Sequence, residues 1–161
     1  MIGGSRVHDD VCEVAYRVGR LLAQKGVIVV CGGLTGVMEC ASHGVYDEGG
    51  IVVGILPGYD ASQANRYVRI PLPTGMGYMR NFLIIRASQA IIAIDGSAGT
   101  LSEASFAISE GKDVVSIYPL NIPRTKEHEG HIYIEPDPQK AVDLAISLGS
   151  RWQQIDESTE R

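Results

Sequence analysis

Short apolar runs alternate with amphipathic stretches along this chain. Val27-Ile28-Val29-Val30-Cys31 stops at Gly32-Gly33, and Ile51-Val52-Val53-Gly54-Ile55 stops at Pro57-Gly58. Ala90-Ile91-Ile92-Ala93-Ile94 stops at Asp95-Gly96, and Val114-Val115-Ser116-Ile117-Tyr118 stops at Pro119. None of these runs alternates apolar with polar residues. Each is apolar on both faces, the pattern of parallel strands covered by helices on both sides. Val68-Arg69-Ile70 and Ile132-Tyr133-Ile134 are weaker and read as edge strands. Between the runs, Val11, Val14, Ala15, Val18, Leu21 and Leu22 recur at helical spacing, and Gly26 is placed to end that helix. Further helices are predicted over 35–48, 77–88 and 100–111, the last ended by Gly111. A final helix carries Ala141, Leu144, Ala145 and Leu148 and starts near Pro136-Asp137-Pro138. Strand–helix alternation of this kind predicts a three-layer α/β/α sandwich on a mainly parallel sheet with right-handed crossovers.

The start of the chain is unusual for that architecture. Met1-Ile2-Gly3-Gly4-Ser5 reads as the end of a strand followed by a glycine turn. Strands average about 5–6 residues, so this one is either very short or the remainder of a longer one. The strand at 1–4 is expected at the centre of the sheet. Strands 27–31 and 51–55 lie to one side and 90–94 and 113–118 to the other, giving the order 3-2-1-4-5-6. A length of 161 residues fits one domain. That domain is expected over 1–150, with 151–161 as a polar tail that frays from Gln153.

Composition narrows the function. Apolar residues make up 45% of the chain and charged residues 20%, which excludes a disordered chain. No apolar run approaches the ~18–20 residues of a membrane span, and no secretory signal precedes the first strand pattern. Basic residues number 14 and acidic residues 19, a net charge of −5, which argues against nucleic acid as a partner. Three cysteines, Cys12, Cys31 and Cys40, form an odd count without C-x-x-C. Neither a disulfide scaffold nor a cysteine zinc site is expected, and the default location is a reducing cytoplasm. His128 and His131 sit in a polar stretch, and His8 and His43 fall in helical segments. None has metal-ligand spacing, so no metal is expected. Met76 and Met79 read as packing residues.

The 19 glycines carry most of the functional information. Gly3-Gly4-Ser5, Gly32-Gly33-Leu34-Thr35-Gly36 and Asp95-Gly96-Ser97-Ala98-Gly99-Thr100 each follow a strand and lead into a helix. Glycine lets a ligand approach the backbone, and a helix start offers unpaired N–H groups at its positive end. A tight strand-to-helix turn alone also selects glycine. Three such loops at one sheet edge favour a ligand site at the strand ends. Their spacing is neither G-x-G-x-x-G nor the G-x-x-x-x-G-K-[ST] P-loop. Thr100-Leu101-Ser102-Glu103 fits the S/T-x-x-E capping box, and the same carboxylate is also placed to act on a substrate. Arg80 falls in the first turn of the predicted 77–88 helix, where a cation costs about 0.3–1 kcal/mol against the dipole. An anionic ligand or Glu103 would offset that cost. A solvated surface arginine is the alternative.

These segments resemble a known family. Gly32-Gly33-Leu34-Thr35-Gly36-Val37-Met38-Glu39 is similar to the GGG-x-x-G-L-M-G segment of the LOG ("lonely guy") proteins. Gly96-Ser97-Ala98-Gly99-Thr100-Leu101-Ser102-Glu103 is similar to their P-G-G-x-G-T-x-x-E. Met79-Arg80-Asn81 resembles the end of their M-x-x-R-K. Gly-Met-Gly-Tyr-x-Arg-Asn, at 75–81, is closer to the molybdenum-cofactor-carrier-like Rossmann proteins. The resemblance covers about residues 1–120 and implies a Rossmann-like fold. Some relatives carry the label "lysine decarboxylase", but no pyridoxal-phosphate lysine context is visible here. LOG enzymes are phosphoribohydrolases that cleave the N-glycosidic bond of nucleoside 5′-monophosphates, and the resemblance places their catalytic pair at Arg80 and Glu103. It places ligand or phosphate contacts at Gly4, Ser5, Gly32, Gly33, Thr35, Gly36, Met79, Asn81, Gly96, Ser97, Gly99 and Thr100. Asp95 replaces the motif proline, Ser97 a glycine and Asn81 the lysine. These departures favour binding over hydrolysis. The leading expectation is a binding protein for a nucleotide, molybdopterin-like ligand or phosphate, with no cofactor required. Alternatives are the phosphoribohydrolase and an oligomeric scaffold with a degenerate pocket. A bound anion is expected at the start of the 100–111 helix. The resemblance also implies a homodimer or tetramer, with Phe82, Leu83, Ile84 and Ile85 in its interface.

Overall fold

The computed structural model describes residues 1–96 and 98–159, the side chains of 152–159 excepted. Ser97, Glu160 and Arg161 lie outside the described residues. In chain order the elements are β1 (Ile2–Gly3), α1 (Asp9–Gln24), β2 (Val29–Cys31), α2 (Val37–Asp47), β3 (Val52–Leu56) and β4 (Ile70–Pro73). They continue with α3 (Arg80–Arg86), β5 (Ile91–Ile94), α4 (Ala98–Ser109), β6 (Val114–Ser116), β7 (Ile132–Ile134) and α5 (Pro138–Thr159). The last helix runs on through 151–159, where the polar sequence predicts a frayed tail.

Every strand pair is parallel. The ladders are β2-β3-β4 and β1-β5-β6-β7. The Met1 ammonium donates to the Val30 carbonyl at 2.8 Å, which lays β1 beside β2. Across the molecule the strands therefore run β4-β3-β2-β1-β5-β6-β7, with β1 in the middle. β4 forms one edge, where Pro71 and Pro73 lack an N–H without disturbing an inner ladder.

Two apolar clusters lie on the two faces of the sheet and make three layers. α1, α2 and α5 bury Val18, Val45 and Val142 on one face, with Val29, Val52 and Val115 beneath them. α3 and α4 bury Ile84, Ile85, Ala104 and Ile108 on the other, with Ile2, Ile91 and Val114. No helix among the described residues is long and apolar enough to cross a membrane.

One expectation is overturned. Cys12 and Cys40 form a disulfide, with their Cα atoms 5.4 Å apart. The cause is the close packing of α1 on α2. A Cβ at Gly19 would lie 2.1 Å from the Ala41 carbonyl oxygen, and one at Gly44 would lie 2.0 Å from that of Tyr16. Two glycines thus let the helix backbones touch and draw the cysteines together. An odd cysteine count only means that one is left over, here the buried Cys31. The bridge spans 28 residues of chain. Loop-closure entropy for that length is worth roughly 3.5 kcal/mol. Thermal unfolding with and without a reductant should therefore differ by roughly 7–14 °C in Tm. Identical curves would show that the bridge does not form.

Candidate functional site

The three glycine loops meet at the C-terminal ends of β1, β2 and β5. The first two are locked together by backbone contacts. Gly36 has φ of +68°, and a Cβ there would lie 2.3 Å from the Gly4 oxygen. The Val37 N–H donates to that same oxygen at 2.9 Å, and the Thr35 hydroxyl donates to the Ser5 carbonyl at 2.9 Å. Asn65, from the segment after β3, braces the second loop. Its Nδ2 donates to the Gly33 and Leu34 carbonyls at 3.2 and 2.8 Å, and its backbone N–H donates to Gly33 at 2.8 Å. Sequence reasoning missed Asn65, because a lone asparagine in a loop carries no spacing signal.

Gly4 and Gly96 differ from these. Added Cβ atoms would find nothing nearer than 3.4 Å at either position. Packing does not demand glycine there, which leaves close approach of a ligand as a reason for it.

The third loop departs from expectation in detail. Asp95 adopts φ of +54°, a conformation that Asp tolerates better than most residues. Its Oδ1 accepts from the Gly96 N–H at 2.8 Å, so that donor, expected to meet a phosphate, is already engaged. α4 begins at Ala98, two residues before the predicted start, and Gly99 lies in its first turn. Ser97 lies outside the described residues. The capping box is not formed. Thr100 is inside the helix, 2% exposed, and its Oγ1 is buried without a hydrogen-bond partner.

Arg80 comes from the other side of the sheet edge. A 3-10 turn over Gly77–Met79 leads into α3. It is pinned by N–H groups of Gly75 and Gly77 donating to the Gly58 and Pro57 carbonyls, both at 2.9 Å. Arg80 is only 7% exposed, which overturns the solvated-surface alternative. Its Nη2 donates to the Gly32 carbonyl at 3.4 Å, and its Nη1 donates to Asn81 Oδ1. A Cβ at Gly32 would lie 2.7 Å from Nη2, so a side chain there would push the guanidinium from this position. Arg80 Nε is buried with no partner. Met79 beside it is 67% exposed and does not join this buried group.

Glu103 projects from α4 and is also 7% exposed. Burial pushes its carboxyl up to about 7, while Arg80 and then the Met1 ammonium act to hold it down. Burial lowers the Arg80 pKa, and the Glu103 charge opposes that. The site thus combines a buried cation with an open donor, a buried open hydroxyl, and a carboxyl able to exchange a proton near neutrality. Among the described residues, no group of three or more His, Cys, Asp or Glu side chains clusters to hold a metal.

The raised carboxyl sets a pH dependence. Folded Glu103 binds its proton up to about pH 7, whereas the unfolded chain releases it near 4.5. Its contribution is present in full below the unfolded value and is lost as pH rises through 7, a fall of roughly 3 kcal/mol. Urea unfolding at pH 5 and pH 8 should show that fall, and Glu103→Gln should flatten it. An unchanged slope in the variant would mean that Glu103 ionises normally.

A protein of Archaeoglobus fulgidus named only as uncharacterized is 39% identical over 147 residues, covering 91% of this chain and 93% of its own. The structure of a molybdenum cofactor binding protein from Rippkaea orientalis superposes with a TM-score of 0.78 at 26% identity, covering 91% of this chain and 93% of that one. The rice cytokinin riboside 5′-monophosphate phosphoribohydrolase LOG is 33% identical over 98 residues, 56% of this chain and 39% of the rice protein. The family match itself spans residues 1–142, from β1 into the start of α5, and on that ground the chain belongs to the SLOG cluster4 family.

Proposed function

We propose that this protein binds a small phosphorylated ligand, a nucleotide or a molybdopterin-like molecule, where the three glycine loops meet. The observation that carries this reading is the pair of buried, partnerless groups, Arg80 Nε and Thr100 Oγ1. Buried polar groups are nearly always hydrogen-bonded, and each exception calls for an explanation. Each is a donor of the kind that a phosphate oxygen accepts from. The likeness to a molybdenum cofactor binding protein supports the same ligand class. A second reading is hydrolysis of a nucleoside 5′-monophosphate. It is favoured by Glu103, whose carboxyl near 7 suits proton transfer at neutral pH. A thermal-shift screen of nucleoside 5′-monophosphates, with free base assayed on the same samples, separates the two. Stabilisation without base release supports binding. Release of base that is lost in Glu103→Gln supports hydrolysis. No shift with any phosphorylated ligand overturns both.

The expected interface needs revision. Ile84 and Ile85 are fully buried within the single chain, packed with α4 residues in the cluster on that face, so they are not available to a second copy. Phe82 and Leu83 are only partly buried, and Tyr78, Met79 and Leu101 are exposed at 89%, 67% and 44%. A homodimer or tetramer in this reading uses those residues. Sedimentation at micromolar concentration should show a species of at least two chains, and a monomer would exclude the assembly. A reducing cytoplasm, the default from cysteine count, would keep Cys12 and Cys40 as thiols. The bridge fits an oxidising setting or the interior of a hyperthermophile, where intracellular disulfides also persist.

A further inference from the structure

A slot opens at the end of the sheet opposite the glycine loops. Its volume is about 560 Å³, and Met1, Val27, Ile28, Val30, Ala90 and Ile92 are among its walls. β1 pairs with β5 over only two positions, Ile2 with Ala93 and Gly3 with Ile94. The slot lies in line with β1, before Met1, with β2 along one wall and β5 along the other. Neighbouring strands lie about 4.7–4.9 Å apart, so strands on either side of a third leave room for one backbone between them.

The walls present strand edges. The Val30 carbonyl accepts from the Met1 ammonium, so Val30 turns toward β1. Strand period two turns Ile28 the same way. On the other wall, the Ala93 carbonyl accepts from the Ile117 N–H on the β6 side. Ile92 and Ala90 therefore turn toward the slot. Ile28 is 58% exposed, although Val29 beside it is core and Val27 is partly buried against that core. Met1 is buried, and that burial lowers the pKa of its ammonium. A peptide bond at this nitrogen would keep the donor to Val30 and remove the buried charge.

We propose that the slot seats an extended apolar segment joined to the amino group of Met1, which continues β1 backwards and completes the middle of the sheet. The walls run over Val27–Val30 on one side and Ala90 to Ile92 on the other, room for a segment of about three or four residues. It is apolar because helices cover both faces of the sheet at this point.

Three chains test this: residues 1–161, the same chain behind a Val-Ile-Val-Val leader, and the same chain behind Gly-Ser-Gly-Ser. Hydrogen exchange at the Val30 and Ile92 amides should be slowed at least ~100-fold by the apolar leader relative to the Gly-Ser leader. Tm should rise by more than ~5 °C in the same comparison. Equal exchange and equal Tm for the two leaders would overturn the proposal. So would slot amides that are already protected in the 161-residue chain and lose protection on dilution, because a second copy would then fill the slot.

Discussion

Arg80→Ala should weaken binding of a phosphorylated ligand by roughly 10- to 150-fold, the loss of one charge-assisted donor worth about 1.5–3 kcal/mol. Stability of the free protein should change much less. The arginine is buried and its Nε has no partner, so the folded state already carries a desolvated, unsatisfied donor. Truncation removes that cost together with the hydrogen bonds to Gly32 and Asn81. The variant should also shift Glu103. Arg80 is the leading influence holding its carboxyl down against burial. Without the arginine, the carboxyl should titrate higher still, and the stability fall with pH should move alkaline. Calorimetric titration and urea unfolding of the same preparations check both parts. Unchanged affinity with lowered stability would mean that Arg80 serves only the fold.

The second large effect concerns Gly36. Gly36→Ala should destabilise the protein by at least ~2 kcal/mol, since its φ of +68° with ψ of −133° is a backbone conformation that costs an L-residue about 1–3 kcal/mol. The new Cβ would also press on the Gly4 carbonyl at 2.3 Å, where backbone faces backbone. The joint between the first two loops would open, and ligand affinity should fall with it. Gly4→Ala and Gly96→Ala are the informative contrast. Neither has a positive φ, and neither Cβ would meet an atom nearer than 3.4 Å. They should cost under ~1 kcal/mol of stability, ordinary for an uncrowded substitution. A clear loss of affinity in either would show that the ligand approaches that bare backbone. Denaturant midpoints of the three variants, measured beside the parent, test the ranking.

Much of the fold was readable because its strands are apolar on both faces. That pattern separates a covered parallel sheet from a half-exposed one, and it placed β2, β3, β5 and β6 within a residue or two. The expected central place of β1 came with the Rossmann-like fold and not from that pattern, and β1 does lie between β2 and β5. Strand ends and helix starts were less readable. α4 begins at Ala98 because Gly99 sits within a helical turn, although glycine spacing suggested a loop there. The same slip made Thr100 look like a cap, whereas it is an inward-facing helix residue with an open hydroxyl. Arg80 and Glu103 were identified by motif, but their burial was not. It depends on Gly32, which lets the guanidinium cross from α3 toward the second loop. Asn65 and the Cys12–Cys40 bridge depend on contacts between residues about 30 apart in the chain, and no local pattern reports those.

The central claim is that the open donors of Arg80 and Thr100 are there for a phosphorylated ligand. Titration of nucleoside 5′-monophosphates and a molybdopterin-type phosphate into the intact protein, with chromatography of each endpoint for free base, tests it most directly. The account predicts saturable binding of at least one of these ligands, loss of at least tenfold in affinity in Arg80→Ala, and no free base at the endpoint. Absence of saturable binding to any of them, or equal binding to the parent and Arg80→Ala, would contradict it.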